Sequence, residues 1–504
     1  MGEKTVIIIG AGLAGLAAGC YAQMNGYDST ILEHHSKPGG VAAAWRRKDY
    51  LIDGGIHFIM GYKPGTALYE MFCQLGILPL CELVEIIDYG ILIDERSNLR
   101  LEIDGNLDNL RRNLVKIAPA DEPGIKELLN GVQAMQGIDL STVGMSKPPE
   151  LTGIFDGFIS LWKMRQVMKY FTGSYNYSID QWGQQYIESP LLRQVLNRLF
   201  LPEAPVWFIM LLLALLANRE LAYLGGGCKE FVSLIEQRYL SLGGSISFNS
   251  SVDKIIVEND RAAGVQLQDG SEYRADYIIS AADGHSTIFQ MLDGKYVDKE
   301  IVSRFEHWPL CRPLVMVSYG VRREFRNEKP FQMIEIQEPL WEGDRAVSSL
   351  MLRIFNYSSR FAPPGKTVIQ AEYDSDWEFW HNLYRENRNE YNREKERLAG
   401  EILGHLEKYY PGISELVEVV DVATPVTTWR YTGNYRGSWG GWLLTPDNIS
   451  KTLKRKLPGL RDFYMAGQWV MPGGGVPTSL YSGRHAIQLL CHRDGKKFYG
   501  GSYS

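Results

Sequence analysis

Near its start the chain carries an unbroken run of β-branched residues, Thr5 to Ile9, that stops at Gly10. A run with no polar face is what a strand covered on both sides of a parallel sheet requires. Small and apolar residues then take up a helical period over Leu13 to Asn25, and a second strand follows at Ser29 to Leu32. The same grammar returns in mid-chain. Gly225, Gly226 and Gly227 open a helix over Lys229 to Leu242. Beyond it come a strand at Ser245 to Asn249, hairpin strands at Val252 to Val257 and Gly264 to Leu267, and an apolar strand at Tyr277 to Ser280. Near the end, Phe463 to Gln468 reads as a short strand running into a turn and Ser479 to Cys491 as a helix.

Two intervening stretches have another texture. Ile125 to Met135, Phe155 to Tyr170 and Leu191 to Phe200 space their apolar groups three and four apart, predicting helices. Leu314 to Val321, Phe331 to Gln337, Ser348 to Phe355 and Thr367 to Tyr373 predict four strands of one sheet. Val206 to Ala217 is the most apolar stretch of all; it falls short of the roughly 20 residues that cross a hydrocarbon core. It is read as a lip through which a lipid reaches the protein, with burial as the alternative.

At 504 residues the chain is long enough for two interleaved units. The expected fold class is α/β: a Rossmann-type nucleotide-binding domain built from discontinuous segments (1–75, 223–300 and 415–504). Beside it stands an α+β substrate domain (76–222 and 301–414) whose mixed or antiparallel sheet is capped by apolar helices. A hydrophobic share of 45% and a charged share of 22% exclude a disordered chain. The net charge of -6 gives no attraction for phosphate backbones, so nucleic acid is not an expected partner. Six scattered cysteines point to reduced thiols, with neither a disulfide framework nor a metal site expected. The N-terminal residues lack the apolar core and cleavage site of a signal peptide, so a cytoplasmic location is expected, with peripheral membrane contact as a refinement.

The chemistry begins at Gly10-Ala11-Gly12-Leu13-Ala14-Gly15. Gly10 makes the tight turn, Gly12 lets a phosphate approach the backbone, and Gly15 packs the helix against the sheet. The amides of Leu13 and Ala14 then face a pyrophosphate from a helix N-terminus. Glu33 stands at the tip of the second strand, about twenty residues on, where a carboxylate accepts ribose hydroxyls and repels a 2′-phosphate. His34 beside it is expected to flank the adenosine.

After Glu33 come Pro38-Gly39-Gly40 and then Asp53-Gly54-Gly55-Ile56-His57. Here the sequence resembles the flavoprotein superfamily of amine oxidases and carotenoid desaturases. That resemblance implies FAD as cofactor, with Gly39, Gly40, Val41, Ala42 and Trp45 along it. It also puts Gly55, Ile56 and His57 near the flavin ring, Val252 against the adenine, and Ala281 and Asp283 at the end of the returning strand. Met465-Ala466-Gly467-Gln468 and Gly473-Gly474-Gly475-Val476-Pro477 resemble the C-terminal signature of bacterial phytoene desaturases. Gly467 and Gln468 would then meet the ribityl and phosphate end, and Gly475, Val476 and Pro477 the flavin.

With Thr424-Pro425 and Arg430-Tyr431-Thr432-Gly433, the sequence resembles the phytoene desaturase, carotene isomerase and retinol saturase group. The resemblance implies an oxidoreductase that exchanges hydride with carbon–carbon bonds of an apolar polyene or isoprenoid lipid. Electrons would pass to or from an external acceptor or donor, since no second dinucleotide motif is visible. His57 is the first candidate for chemistry, with a structural turn as the competing role. Arg430, expected in a strand before the last block, is the second, with a domain anchor as its alternative. Two other function classes remain: a flavin amine oxidase, against which the Pro477 helix entrance and the lack of an aromatic pair weigh, and an FAD-bound protein without turnover.

Overall fold

In the computed structural model, which describes residues 4–137, 145–153, 165 and 167–501, the strand Lys4–Ile9 is the centre of a five-stranded parallel sheet. Tyr27–Leu32 and then Ser245–Ser247 lie on one side of it, Tyr277–Ser280 and then Phe463–Met465 on the other. Three regions far apart in sequence thus share one sheet. Ile7, Ile8 and Ile9 are all buried, as a two-sided strand demands.

The helices Leu13–Met24 and Gly475–Arg493 pack together against this sheet, and small residues set how closely. A Cβ at Gly15 would overlap the carbonyl oxygen of Gly10, and one at Gly483 would overlap that of Ala14. The helix expected over Lys229 to Leu242 is Gly227–Ser241, which begins in the third glycine of its triplet.

The second sheet has seven strands, and all four predicted ones are in it. Its order is Val417–Ala423, Leu314–Val321, Thr367–Asp374, Arg345–Ile354, Phe331–Glu342, Asp88–Asp94 and Leu99–Asp104. It is mixed: Phe331–Glu342 runs parallel to Asp88–Asp94, and the other pairs are antiparallel. Alternation divides its side chains between two cores. Ile91 and Ile93 join Leu398, Ile402 and Leu406 of the helix Arg388–Tyr409, whereas Leu92 and Met333 join the helices Glu122–Met135, Pro190–Leu199 and Trp207–Ala217.

Two sequence expectations change. Residues 154–164 and 166 lie outside the described residues, so most of the predicted helix Phe155–Tyr170 does too, and its end, Met168–Phe171, is a 3-10 turn. The apolar stretch is a buried helix, Trp207–Ala217, whose residues Ile209 to Leu216 are all covered, which corrects its reading as a lip. A helix lying on a membrane needs a polar face; one that is apolar all round belongs inside a core. Among the described residues no helix is long and apolar enough to cross a membrane.

Candidate functional site

A cavity of about 1250 Å³ runs between the two sheets. Single-ligand pockets are typically about 300–1,000 Å³, and this one is larger. One arm is lined by the loops at the ends of the parallel strands, the other by apolar side chains.

In the first arm the wall is mostly backbone. Gly10 and Gly12 line it, with Leu13 and Ala14 at the start of their helix. A Cβ at Gly12 would meet nothing within 4 Å, so the residue faces open space where a phosphate can approach. Gly39 and Gly40, both with positive φ, cross beside it, Gly39 donating its amide to the Ala11 carbonyl at 2.9 Å. Val41, Ala42 and His34 continue the wall. Glu33 is fixed by the two amides it accepts, from Ala11 at 2.6 Å and His35 at 2.8 Å. Val252, Ala281 and Asp283 line the same arm. Burial pushes the Asp283 carboxyl up to about 6, although it accepts amides from Ser286 and Tyr435 at 2.8 Å each. Gly467 and Gln468 follow, and Gly475, Val476 and Pro477 bring the N-terminus of a second helix to the cavity. Glycine-lined backbone, two helix N-termini and the Glu33 carboxylate at a strand tip fit a dinucleotide cofactor.

Two predicted contacts sit elsewhere. Gly15 does not line the cavity and serves the helix packing described above. Trp45 is a correction: it lies outside the wall, with its ring behind Gly54, where a Cβ would come within 2.6 Å of it. Trp45 lies on the short strand Ala44–Arg47, paired with Tyr50–Asp53, and supports the next turn from outside.

That turn, Gly54 to His57, lines the middle of the cavity and rests on a buried polar network. Asp53 accepts the amide of Cys228 at 2.6 Å, its thiol at 3.0 Å and the Gly55 amide at 3.2 Å. The Ile56 amide donates to the Cys228 sulfur at 3.1 Å, and burial together with Asp53 pushes that thiol well above its ordinary range. From the seven-stranded sheet, Arg353 donates to the Ile56 carbonyl at 3.3 Å and to Gln370 at 3.1 Å. Gln370 donates to the Asp53 carbonyl at 3.0 Å. His57 Nε2 lies 3.0 Å from Glu372 Oε2, and Arg353 Nη1 lies 3.4 Å from Glu372 Oε1. Burial alone would raise the Glu372 carboxyl; the charges of His57 and Arg353 outweigh it and hold it at about 2.

Arg430 also lines the cavity but lies on a helix, Pro425–Thr432, which corrects the expected strand. Thr424 caps that helix through a capping box with Thr427, and Pro425 fills its first turn, a combination that starts a helix. The Arg430 side chain is exposed, with its guanidinium 5.8 Å from the ring centres of both Tyr384 and Tyr431.

Past His57 the walls turn apolar. Phe208, Leu211, Leu212 and Leu215 of the buried helix face Phe331, Met333 and Met351 of the sheet. Among the described residues no cluster of potential metal ligands occurs, and all six cysteines are free.

Comparison with known proteins places this architecture. A prolycopene isomerase of Daucus carota is 24% identical over 95% of this chain and 79% of its own length. A lycopene-forming phytoene desaturase of Paracoccus sp. is 22% identical over 97% of both chains. An all-trans-retinol 13,14-reductase of Danio rerio is 22% identical over 93% of this chain and 83% of its own. Among solved structures, a putrescine oxidase redesigned at its cofactor site superposes with a TM-score of 0.63 at 12% identity, over 98% of this chain and 99% of that one. The family model for flavin containing amine oxidoreductases matches residues 13–490. The chain therefore belongs to that family of flavin-dependent oxidoreductases, and FAD is its cofactor.

Proposed function

We propose that this protein exchanges hydride with the carbon–carbon bonds of an apolar polyene or isoprenoid-type chain, by desaturation, saturation or cis–trans isomerisation. The observation that carries the reading is one cavity whose glycine-lined part suits a dinucleotide and whose remaining wall is largely Leu, Met and aromatic side chains, with Asn197, Arg198, Arg345 and Asp374 among its polar members. Bound FAD would supply the chemistry, oxidised for desaturation, reduced for saturation, and reduced without net redox change for isomerisation.

The chain's own residues orient and exclude water. Gly10, Gly12, Leu13, Ala14, Gly39 and Gly40 would hold the pyrophosphate, Glu33 the ribose, Val252 the adenine, and Gly475, Val476 and Pro477 the far end. Leu211, Leu212 and Leu215 would keep the substrate arm dry. His57, where the two arms meet, is the group proposed to donate or accept the proton that accompanies hydride transfer. The stacking of Arg430 on Tyr384 and Tyr431 favours a rim-holding role for it over a part in the chemistry. An external acceptor or donor would complete the cycle.

The relatives named as prolycopene isomerase, phytoene desaturase and retinol reductase make prolycopene, phytoene and all-trans-retinol the natural probes. Each is mixed anaerobically with oxidised and with pre-reduced protein, with flavin absorbance and product mass followed together. The reading predicts bleaching with a product two hydrogens lighter, or, from reduced protein, an isomerised or two-hydrogen-heavier product. Bleaching by putrescine alone, or no change with any polyene, would overturn it.

A further inference from the structure

The pair His57–Glu372 joins two parts of the chain that no local motif connects. Glu372 is fully buried in the strand Thr367–Asp374, while the His57 side chain is 32% exposed and reaches two cavities. One is the large cavity. The other, of about 20 Å³, lies behind the turn and is lined by Arg353, Tyr223 and Tyr357 as well as His57. It has room for about one water molecule. An imidazole on this boundary can present either nitrogen to either side unless something fixes its ring.

Glu372 does so. Its Oε2 lies 3.0 Å from Nε2, an ion-pair contact whose geometry is not that of a hydrogen bond, and Oε2 has no other partner among the described residues. Glu372 is itself held from the far side by Arg353, which also grips the Ile56 carbonyl next to the histidine. The carboxylate and the backbone of the turn therefore move as one unit. Resting on the reading of His57 given above, we propose that Glu372 is the positioning residue of His57, its buried carboxylate holding the imidazole where the two cavities meet. Burial of an acid for this purpose alone would be costly, and Arg353 offsets that cost.

The test needs no substrate for its first half. Diethyl pyrocarbonate acylates accessible imidazole nitrogens, and peptide mass spectrometry reads the rate at His57 in FAD-loaded and FAD-free protein. Glu372→Gln should make His57 react about tenfold faster, as the ring is released from its anionic neighbour. An unchanged rate overturns the proposal.

Since Glu372→Gln strands Arg353 and can unfold the protein, Glu372→Asp is the second variant. It keeps the charge but withdraws it by one methylene, and should also speed acylation while melting close to wild type. An Asp variant with wild-type reactivity would leave Glu372 as a partner of Arg353 alone.

Turnover supplies the second half. Either variant should lower kcat by about tenfold to a hundredfold with KM within about twofold, and neither should lower it further in a His57→Gln background. Additive losses overturn the proposal, since Glu372 would then act by another route. If wild type turns over none of the polyene probes, the proposed function fails, while the acylation rates still decide the role of Glu372.

Discussion

The two arms of the cavity are made of opposite materials. The cofactor arm is shaped by backbone: glycines at 10, 12, 39, 40, 467 and 475, most with positive φ, and the first turns of two helices. The substrate arm is shaped by side chains, chiefly those of Trp207–Ala217 and the facing strands. A backbone wall has one shape and loses its function when a single Cβ is added, whereas a side-chain wall can be recut residue by residue without unfolding the elements that carry it. The glycine-lined arm is therefore fixed in shape, and the other arm is the one that substitution can adjust.

Gly12→Val attacks the backbone arm with the largest expected effect. Since a Cβ there meets no protein atom within 4 Å, the variant should fold, and its flavin absorbance should drop to about a tenth of wild type or less. A full flavin spectrum would remove Gly12 from the cofactor wall. His57→Gln probes the junction between the arms. Flavin content should hold while kcat falls about a hundredfold, and unchanged turnover would reduce the histidine to a structural part of its turn.

Glu33→Ala should be milder. The amides of Ala11 and His35 lose their acceptor, and FAD affinity should fall about tenfold by equilibrium dialysis. Unaltered affinity would mean the carboxylate serves the loop and not the ribose. The smallest effect is on pH dependence. The Asp283 carboxyl is raised from 3.8 to about 6, so its contribution to stability is complete below about pH 4 and is lost as pH rises through 6. Asp283→Asn should flatten the melting-temperature profile of FAD-free protein between pH 4 and 7; parallel profiles would show that Asp283 does not set the slope.

The backbone arm was largely legible in the sequence, because its determinants are local. A β-branched run, a spaced glycine motif and an acid at the next strand tip encode a turn, a helix N-terminus and a carboxylate beside it within forty residues. The alternating strands of the second sheet were legible for the same reason. Trp45 was misplaced because closeness in sequence to the second glycine pair does not say which side of a two-stranded ribbon faces inward. Arg430 was assigned to a strand although Thr424 and Pro425 signal a helix start. The network under His57 escaped because its members meet only in three dimensions: Asp53, Cys228, Arg353 and Glu372 come from four separate elements. One signal existed. Gln370 and Glu372 fall on the same face of a strand otherwise rich in apolar residues, and such polar groups in a buried strand need partners.

The account's central claim, that one cavity holds the cofactor and an apolar chain in separable arms, is tested most directly by plugging the second arm. Leu212→Trp places an indole among the apolar side chains lining that arm. The account predicts wild-type flavin content and spectrum together with a KM for the polyene that turns over raised by about tenfold or more. Loss of FAD, or an unchanged KM, would contradict it.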